Sequence, residues 1–193
     1  KKLIKVLNKK FEKPITCLTS YSPSIAKILD GNVDIILIGD SLGSTLYGMK
    51  NSQGVTLGMM KIHGRVVTNN INKSLTMIDM PYLTYTNKKQ ALRNSRELLK
   101  YTNAHLLKLE INSKNINIVN FLSKKNYKIF AHIGVTPQSF QDFKKIKVVG
   151  KNNGERKDLV NLAISLEEAG AVGILLECVT EKTAKEITEK VSI

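Results

Sequence analysis

One pattern constrains this chain more than any other: short β-branched runs alternate with longer amphipathic segments along its whole length. Six runs read as strands, at 15–19, 34–39, 75–79, 104–109, 128–132 and 173–177. Each is followed by a segment with apolar residues at helical spacing: 23–29, 56–67, 87–101, 115–125, 155–169 and 181–190. Leu159, Leu162, Ala163 and Leu166 show that spacing, and Gly170 falls where a helix-ending glycine sits. Repeated strand–helix units predict an α/β fold around a parallel sheet.

No linker, low-complexity tract or charge block divides the chain, so residues 1–193 read as a single (β/α)-barrel domain. A closed eight-stranded barrel takes about 250 residues. At 193 residues the chain accommodates about six βα units, and 191–193 reads as a seventh strand beginning, so the barrel is expected to be C-terminally incomplete. Unpaired edge strands then predict a poorly folded or aggregation-prone product. The longest irregular stretches, 41–55 and 136–154, each follow a strand, where barrel enzymes keep functional loops.

The formal charge of +14 raises the question of a nucleic-acid partner. The positive charge is almost all lysine, spread through every segment alongside abundant asparagine and isoleucine, with no basic stripe interleaved with aromatics. Solvated lysines on helix faces account for it, and no nucleic-acid partner is expected. No apolar run approaches the roughly 20 residues of a membrane span, and the opening residues lack a signal-peptide pattern. The expectation is a soluble cytoplasmic protein with no membrane partner. Cys17 and Cys178 fall in apolar strand-like runs and read as small hydrophobes rather than disulfide partners.

Five consecutive strand runs end in an ionisable residue: Asp40, Asp79, Glu110, His132 and Glu177. In a parallel barrel these ends meet at one rim, which converges distant residues on one pocket. Hard divalent cations such as Mg²⁺ take one or two carboxylates and fill the remaining positions with water or substrate. Asp40 and Asp79 would supply that pair, with Glu110 close by directly or through water. Strand-end acids also cap helices or pair with surface lysines, and that reading stays open for each one singly. Lys108 and Glu110, two apart, leave the strand on one face, either as a cation beside a ligand or as a rim ion pair. His132 reads as a hydrogen-bond donor to the site or as a structural histidine. His63 and His105 read as helix packing and a strand edge.

Gly39-Asp40-Ser41-Leu42-Gly43, Asp79-Met80-Pro81, Lys108-Leu109-Glu110, His132-Ile133-Gly134-Val135-Thr136-Pro137-Gln138-Ser139 and Leu176-Glu177-Cys178-Val179 together resemble the ketopantoate hydroxymethyltransferase family, in that family's order and spacing. The resemblance implies a TIM (β/α)8 barrel of the phosphoenolpyruvate/pyruvate superfamily and a homo-oligomer, a decamer in the family. It implies transfer of a hydroxymethyl group from 5,10-methylenetetrahydrofolate to 3-methyl-2-oxobutanoate, giving 2-dehydropantoate through a Mg²⁺-stabilised enolate, in pantothenate biosynthesis. By motif match, Asp40, Asp79 and Glu110 are metal positions, Asp40, Ser41, Asp79, Lys108 and His132 contact substrate, and Glu177 is the catalytic base. Desolvation beside the substrate's isopropyl group would raise the Glu177 pKa.

Four segments depart from the family pattern: Thr19-Ser20-Tyr21-Ser22, Met49-Lys50-Asn51-Ser52, Ile111-Asn112 in place of Gly-Gly, and Lys144 to Lys151 in place of a glycine-rich loop. Glycine reaches conformations that β-branched residues and lysine resist, so impaired loop closure over the site is expected there. Two other readings remain: an inactive or degenerate fragment of this enzyme, and a sister carbon–carbon lyase or mutase, although the cysteine loop of those enzymes is absent from the sequence.

Overall fold

Alternation along the strands sorts side chains onto two faces, and each face builds its own layer. The computed structural model describes residues 2–193. Six parallel strands lie side by side in chain order: β1 (Cys17–Thr19), β2 (Ile35–Ile38), β3 (Leu75–Asp79), β4 (Leu106–Glu110), β5 (Ile129–Gly134) and β6 (Gly173–Glu177). Helices follow them: α2 (Pro23–Leu29) after β1, α3 (Leu42–Tyr47) and α4 (Leu57–Thr68) after β2, α5 (Lys88–Thr102), α6 (Ile116–Ser123), α7 (Asn153–Glu168) and α8 (Glu181–Lys190). The result is a half-barrel of βα units.

Ile36, Ile38, Ile78, Leu107, Leu109, Ala131 and Ile133 face the helices and form the main core with Met60, Leu98, Val119, Leu122 and Leu166. Ile35, Leu75, Met77 and Leu106 form a second, inner cluster. Leu3 and Val6 of a further helix, α1 (Lys2–Asn8), pack against that cluster. The inner face is therefore apolar at the strands' amino-terminal end, and its polar residues collect at the carboxyl-terminal end.

Helix starts follow local chemistry. Asn87, Asn152 and Thr180 accept hydrogen bonds from the backbone N–H groups of Gln90, Glu155 and Thr183, and Thr56 does the same for Met59. The sequence pattern misses α1 and α3, which are seven and six residues long. Neither carries the start signal that marks the comparably short α2, a Ser22 N-cap followed by Pro23 at the first helical position.

Three expectations change. Residues 191–193 pair with no strand; the Val191 N–H instead caps α8 on the Ile187 carbonyl, and Ser192 bonds Glu167. Both cysteines are exposed rather than buried in strands, because β1 lies at the sheet edge and Cys178 lies one residue past β6. Ile111 and Asn112 need no glycine-like backbone: neither has a positive φ, Ile111 is buried, and its N–H bonds the His132 carbonyl. Gly134 does need to be glycine. Its φ is +93°, and a Cβ there would lie 2.4 Å from the Glu177 carbonyl oxygen.

Candidate active site

Strand register builds the site. Asp79 pairs with Lys108 across β3 and β4, Glu110 with His132 across β4 and β5, and Gly134 with Glu177 across β5 and β6. Parallel neighbours in register point the same way, so acids and bases alternate along one rim. All seven residues singled out by the sequence, Asp40, Ser41, Asp79, Lys108, Glu110, His132 and Glu177, line a single cavity of about 360 Å³. Leu37, Leu175 and Ile146 give it an apolar wall.

Asp40 and Asp79 stand together at the centre. The Asp40 backbone N–H donates to Asp79 Oδ2 at 3.0 Å, which draws the start of the β2–α3 loop onto β3. Burial pushes the Asp40 carboxyl up to about 7, and the Asp79 charge adds to that, with Lys108 and a Gln138 hydrogen bond opposing it. Lys108 Nζ lies 3.0 Å from Asp79 Oδ1 and 3.2 Å from His132 Nδ1. Burial alone would lower the Lys108 pKa; Asp79 and Asp40 outweigh it and hold the ammonium charged. An ammonium has no lone pair, so His132 Nδ1 accepts from Lys108 and Nε2 carries the ring proton.

That N–H faces Glu177. Nε2 and Glu177 Oε2 are 3.3 Å apart, short of a hydrogen bond of good geometry. The contact still holds the Glu177 carboxyl below its ordinary value, with burial acting the other way. The direction is opposite to the upward shift the sequence predicts, because the Glu177 side chain is 44% exposed and sits beside a ring donor. Glu110 behaves differently: burial pushes it up to about 9, with Lys108 opposing and Asp40 adding. Its Oε2 accepts from the Gln138 backbone N–H at 3.0 Å. Ser41 bonds the Tyr21 hydroxyl through Oγ at 2.6 Å.

The donor set suits a hard divalent ion. Asp79 Oδ1 is buried and, apart from the Lys108 contact, has no hydrogen bond of good geometry. Two adjacent carboxylates with oxygen donors only match a cation that fills the rest of its shell with water or substrate. Among the described residues no three His, Cys, Asp or Glu side chains are arranged to hold an ion by themselves. The fit therefore rests on the Asp40–Asp79 pair, with Glu110 held beside it through the Gln138 that also bonds Asp40.

Two residues escape the sequence reading. Gln138 joins Asp40 to Glu110, and Tyr85 bonds Gln138 from behind. Gln138 lies within the His132–Ser139 motif, but a rule that looks for ionisable strand ends passes over neutral amides. His63, read as a packing residue, bonds the Tyr21 carbonyl at 2.9 Å and the Tyr47 hydroxyl at 2.9 Å, so it braces the loop that carries the Ser41 partner. The loop of Lys144 to Lys151 is held at the site: Val149 bridges to Val179 beyond β6.

Solved structures share the fold. A phosphonopyruvate hydrolase crystallised with oxalate and Mg²⁺ aligns with a TM-score of 0.71 at 13% identity, covering 98% of this chain and 66% of that one. A 2,3-dimethylmalate lyase described as a PEP mutase/isocitrate lyase superfamily member gives the same values. At that identity the likeness concerns architecture alone. Sequence relatives are nearer. The 3-methyl-2-oxobutanoate hydroxymethyltransferase of Pelagibacter ubique (strain HTCC1062) is 42% identical over 193 residues, which is 100% of this chain and 74% of the relative. The protein of the same name from Campylobacter concisus (strain 13826) is 38% identical over 188 residues, 97% of this chain and 69% of the relative. A family profile described as ketopantoate hydroxymethyltransferase matches residues 1–193. With the acids, lysine and histidine of its motifs gathered in one cavity, a family profile matched over its whole length and the two relatives above of one name, the chain belongs to the ketopantoate hydroxymethyltransferase family of enzymes.

Proposed function

We propose that the chain transfers a hydroxymethyl group from 5,10-methylenetetrahydrofolate to 3-methyl-2-oxobutanoate, giving 2-dehydropantoate, as a step of pantothenate biosynthesis. The observation that carries the reading is the pairing of Asp40 with Asp79 inside a cavity that also presents Lys108, His132 and Glu177. A Mg²⁺ ion held by Asp40 and Asp79 would supply Lewis acidity toward the carboxylate and keto oxygens of a 2-keto acid.

The chain's own groups do the rest. Lys108 and the His132 N–H place positive charge where the substrate carboxylate and the developing enolate oxygen lie. Leu37, Leu175 and Ile146 offer the isopropyl group an apolar wall. Glu177 is held below its ordinary pKa, so it is ionised and free to take the C3 proton. Apolar substrate packed beside it would strip water from the carboxylate and strengthen it as a base. Water takes the methylene carbon off the folate as formaldehyde and releases tetrahydrofolate; the carbanion carbon attacks that formaldehyde carbon, and its oxygen takes up the proton held by Glu177 to become the new hydroxyl. The reading includes self-association, which fits the exposed Ile28, Leu46 and Ile62, and sedimentation velocity measures it.

Deuterium uptake at C3 of 3-methyl-2-oxobutanoate in D₂O, followed by NMR with Mg²⁺ and without folate, tests the first half of the reaction. Glu177→Gln is expected to slow exchange by about 10²–10⁴-fold. Lys185→Ala, on the exposed side of α8, is expected to leave it unchanged. A folded parent protein that shows no exchange would overturn the reading, as would exchange in Glu177→Gln at the parent rate.

A further inference from the structure

Gln138 is 4% exposed, and every polar atom of its side chain is engaged. Its Nε2 donates to Asp40 Oδ2 at 2.7 Å and to the Met80 carbonyl at 3.0 Å. Its Oε1 accepts from the Tyr85 hydroxyl at 2.6 Å, and its backbone N–H donates to Glu110 Oε2 at 3.0 Å. One residue therefore grips the carboxyls of two site acids from different strands. We propose that Gln138 is a positioning residue for the divalent cation, and that Tyr85 fixes the sense in which its amide faces Asp40.

The geometry leaves the amide one orientation. Turned over, it would set Oε1 against two acceptors, Asp40 Oδ2 and the Met80 carbonyl, and would set its NH₂ against the Tyr85 hydroxyl. A Tyr hydroxyl has one proton. The short 2.6 Å contact shows it directed at Gln138 Oε1, and its lone pair then accepts from the Glu110 N–H at 3.3 Å. With Oδ2 taken by Gln138, Asp40 would have its other oxygen to offer a cation. Partners of this kind commonly alter metal affinity about 10–100-fold when removed, because a freely rotating carboxylate must be ordered on binding.

The turn Pro137–Ser139 that carries Gln138 is itself anchored. Gln53 Nε2 donates to the Gln138 carbonyl at 2.8 Å, and Asn51 Nδ2 donates to the Gln141 carbonyl at 2.9 Å. These bonds tie the loop after β2 to the loop after β5, the same two segments that bring Asp40 and Gln138 to the site. Gln138 is thus held from both sides, as a positioning group has to be.

The inference rests on the cation reading above, and titration of the full chain with Mn²⁺, followed by electron paramagnetic resonance, separates the two. Gln138→Met, similar in length and without the donor, is expected to weaken Mn²⁺ binding about 10–100-fold while the circular dichroism spectrum is unchanged. Tyr85→Phe is expected to weaken it less, by about 3–10-fold, since the amide stays in place without its orienting partner. Lys185→Ala is the unchanged control. If Gln138→Met does not fold, Tyr85→Phe decides alone. Mn²⁺ affinity that falls in Asp40→Asn but equals the parent's in the Gln138 and Tyr85 variants overturns this inference and spares the cation site. A parent protein that binds no Mn²⁺ overturns both.

Discussion

The closed centre of the rim and its open edge carry the same kind of residue and treat it in opposite ways. Asp40 and Glu110 lie among β2, β3 and β4, where every residue of β3 and β4 is buried, and their carboxyls are pushed up to about 7 and about 9. Glu177 lies at the end of β6, whose last four residues are half-buried, and His132 holds its carboxyl down. All three are acids at or beside the ends of parallel strands. Their electrostatic roles come from how much water and how many other acids surround them, so position in the sequence finds the group but does not rank its members. On the proposed reading the centre would take up an ion in exchange for protons, and the edge keeps a carboxylate charged.

Removing a charge from the centre is the harshest way to break that contrast. Asp79→Asn leaves the Lys108 ammonium buried without its 3.0 Å counter-ion and removes charge from the acceptor of the Asp40 N–H. Loss of one partner from a buried pair costs about 3–5 kcal/mol, and urea denaturation is expected to show it. A cost below about 1 kcal/mol would mean that Asp40 and Glu110 replace Asp79 as counter-ions, and the centre would be one shared charge cloud rather than a defined pair.

Glu110 tests the centre in the other direction. Its folded pKa of about 9 stands above the ordinary 4.5, so between those values the folded protein keeps a proton that the unfolded chain has released. Stability from this group is complete below about pH 4.5 and falls as pH rises toward 9, by at most about 1.4 kcal/mol per pH unit. Glu110→Gln removes the titration while keeping an acceptor for Gln138. In the presence of chelator its stability relative to the parent is therefore expected to climb from pH 5 to pH 8, by a few kcal/mol in all. A difference independent of pH would show that Glu110 is ionised in the folded protein.

The Asp40 carboxyl gives a smaller effect. A cation displaces its proton, so Mn²⁺ affinity is expected to rise about tenfold per pH unit up to about pH 7 and to level off above it. Calorimetric titration at pH 5.5, 6.5 and 7.5 measures the slope. An affinity that is already flat at pH 5.5 would place Asp40 with Glu177 among the ionised acids.

The members of the site are legible in the sequence, for a physical reason, while the contrast between them is not. The runs at Leu75–Asp79 and Gly173–Glu177, and the helices at Pro23–Leu29 and Glu181–Lys190, match their sequence reading in both bounds. Inner strands are apolar until the rim, so the first ionisable residue marks the end of the strand and the edge of the site together. Asp40, Asp79, Glu110, His132 and Glu177 follow from that pattern, and Lys108 from its place two residues before Glu110 on the same face. Gln138 and Tyr85 were not, because their importance lies in hydrogen bonds 53 residues apart in the chain, and neither type marks a boundary. The short α1 and α3 escaped because their helicity comes from docking on the sheet and its loops rather than from their own periodicity. The substituted glycines at Ile111-Asn112 misled in another way: loss of glycine implies a changed backbone only where φ is positive, and here it is not.

The open edge gives the smallest effect and the sharpest sign. Glu177 has a depressed folded pKa, so whatever stability it contributes is present above its ordinary value of 4.5 and is lost as pH falls through the folded value. With nearly half of the side chain in water, solvent screening limits that contribution to less than about 1 kcal/mol. Glu177→Gln is thus expected to melt within about 1–3 °C of the parent at pH 7, with the gap closing below pH 4, although on the proposed mechanism the same substitution would remove most of the C3 proton exchange. A larger loss of stability, persisting at pH 4, would mean that Glu177 is part of the packed scaffold like Asp79. The distinction between a centre that holds the fold and an edge that does the chemistry would then disappear.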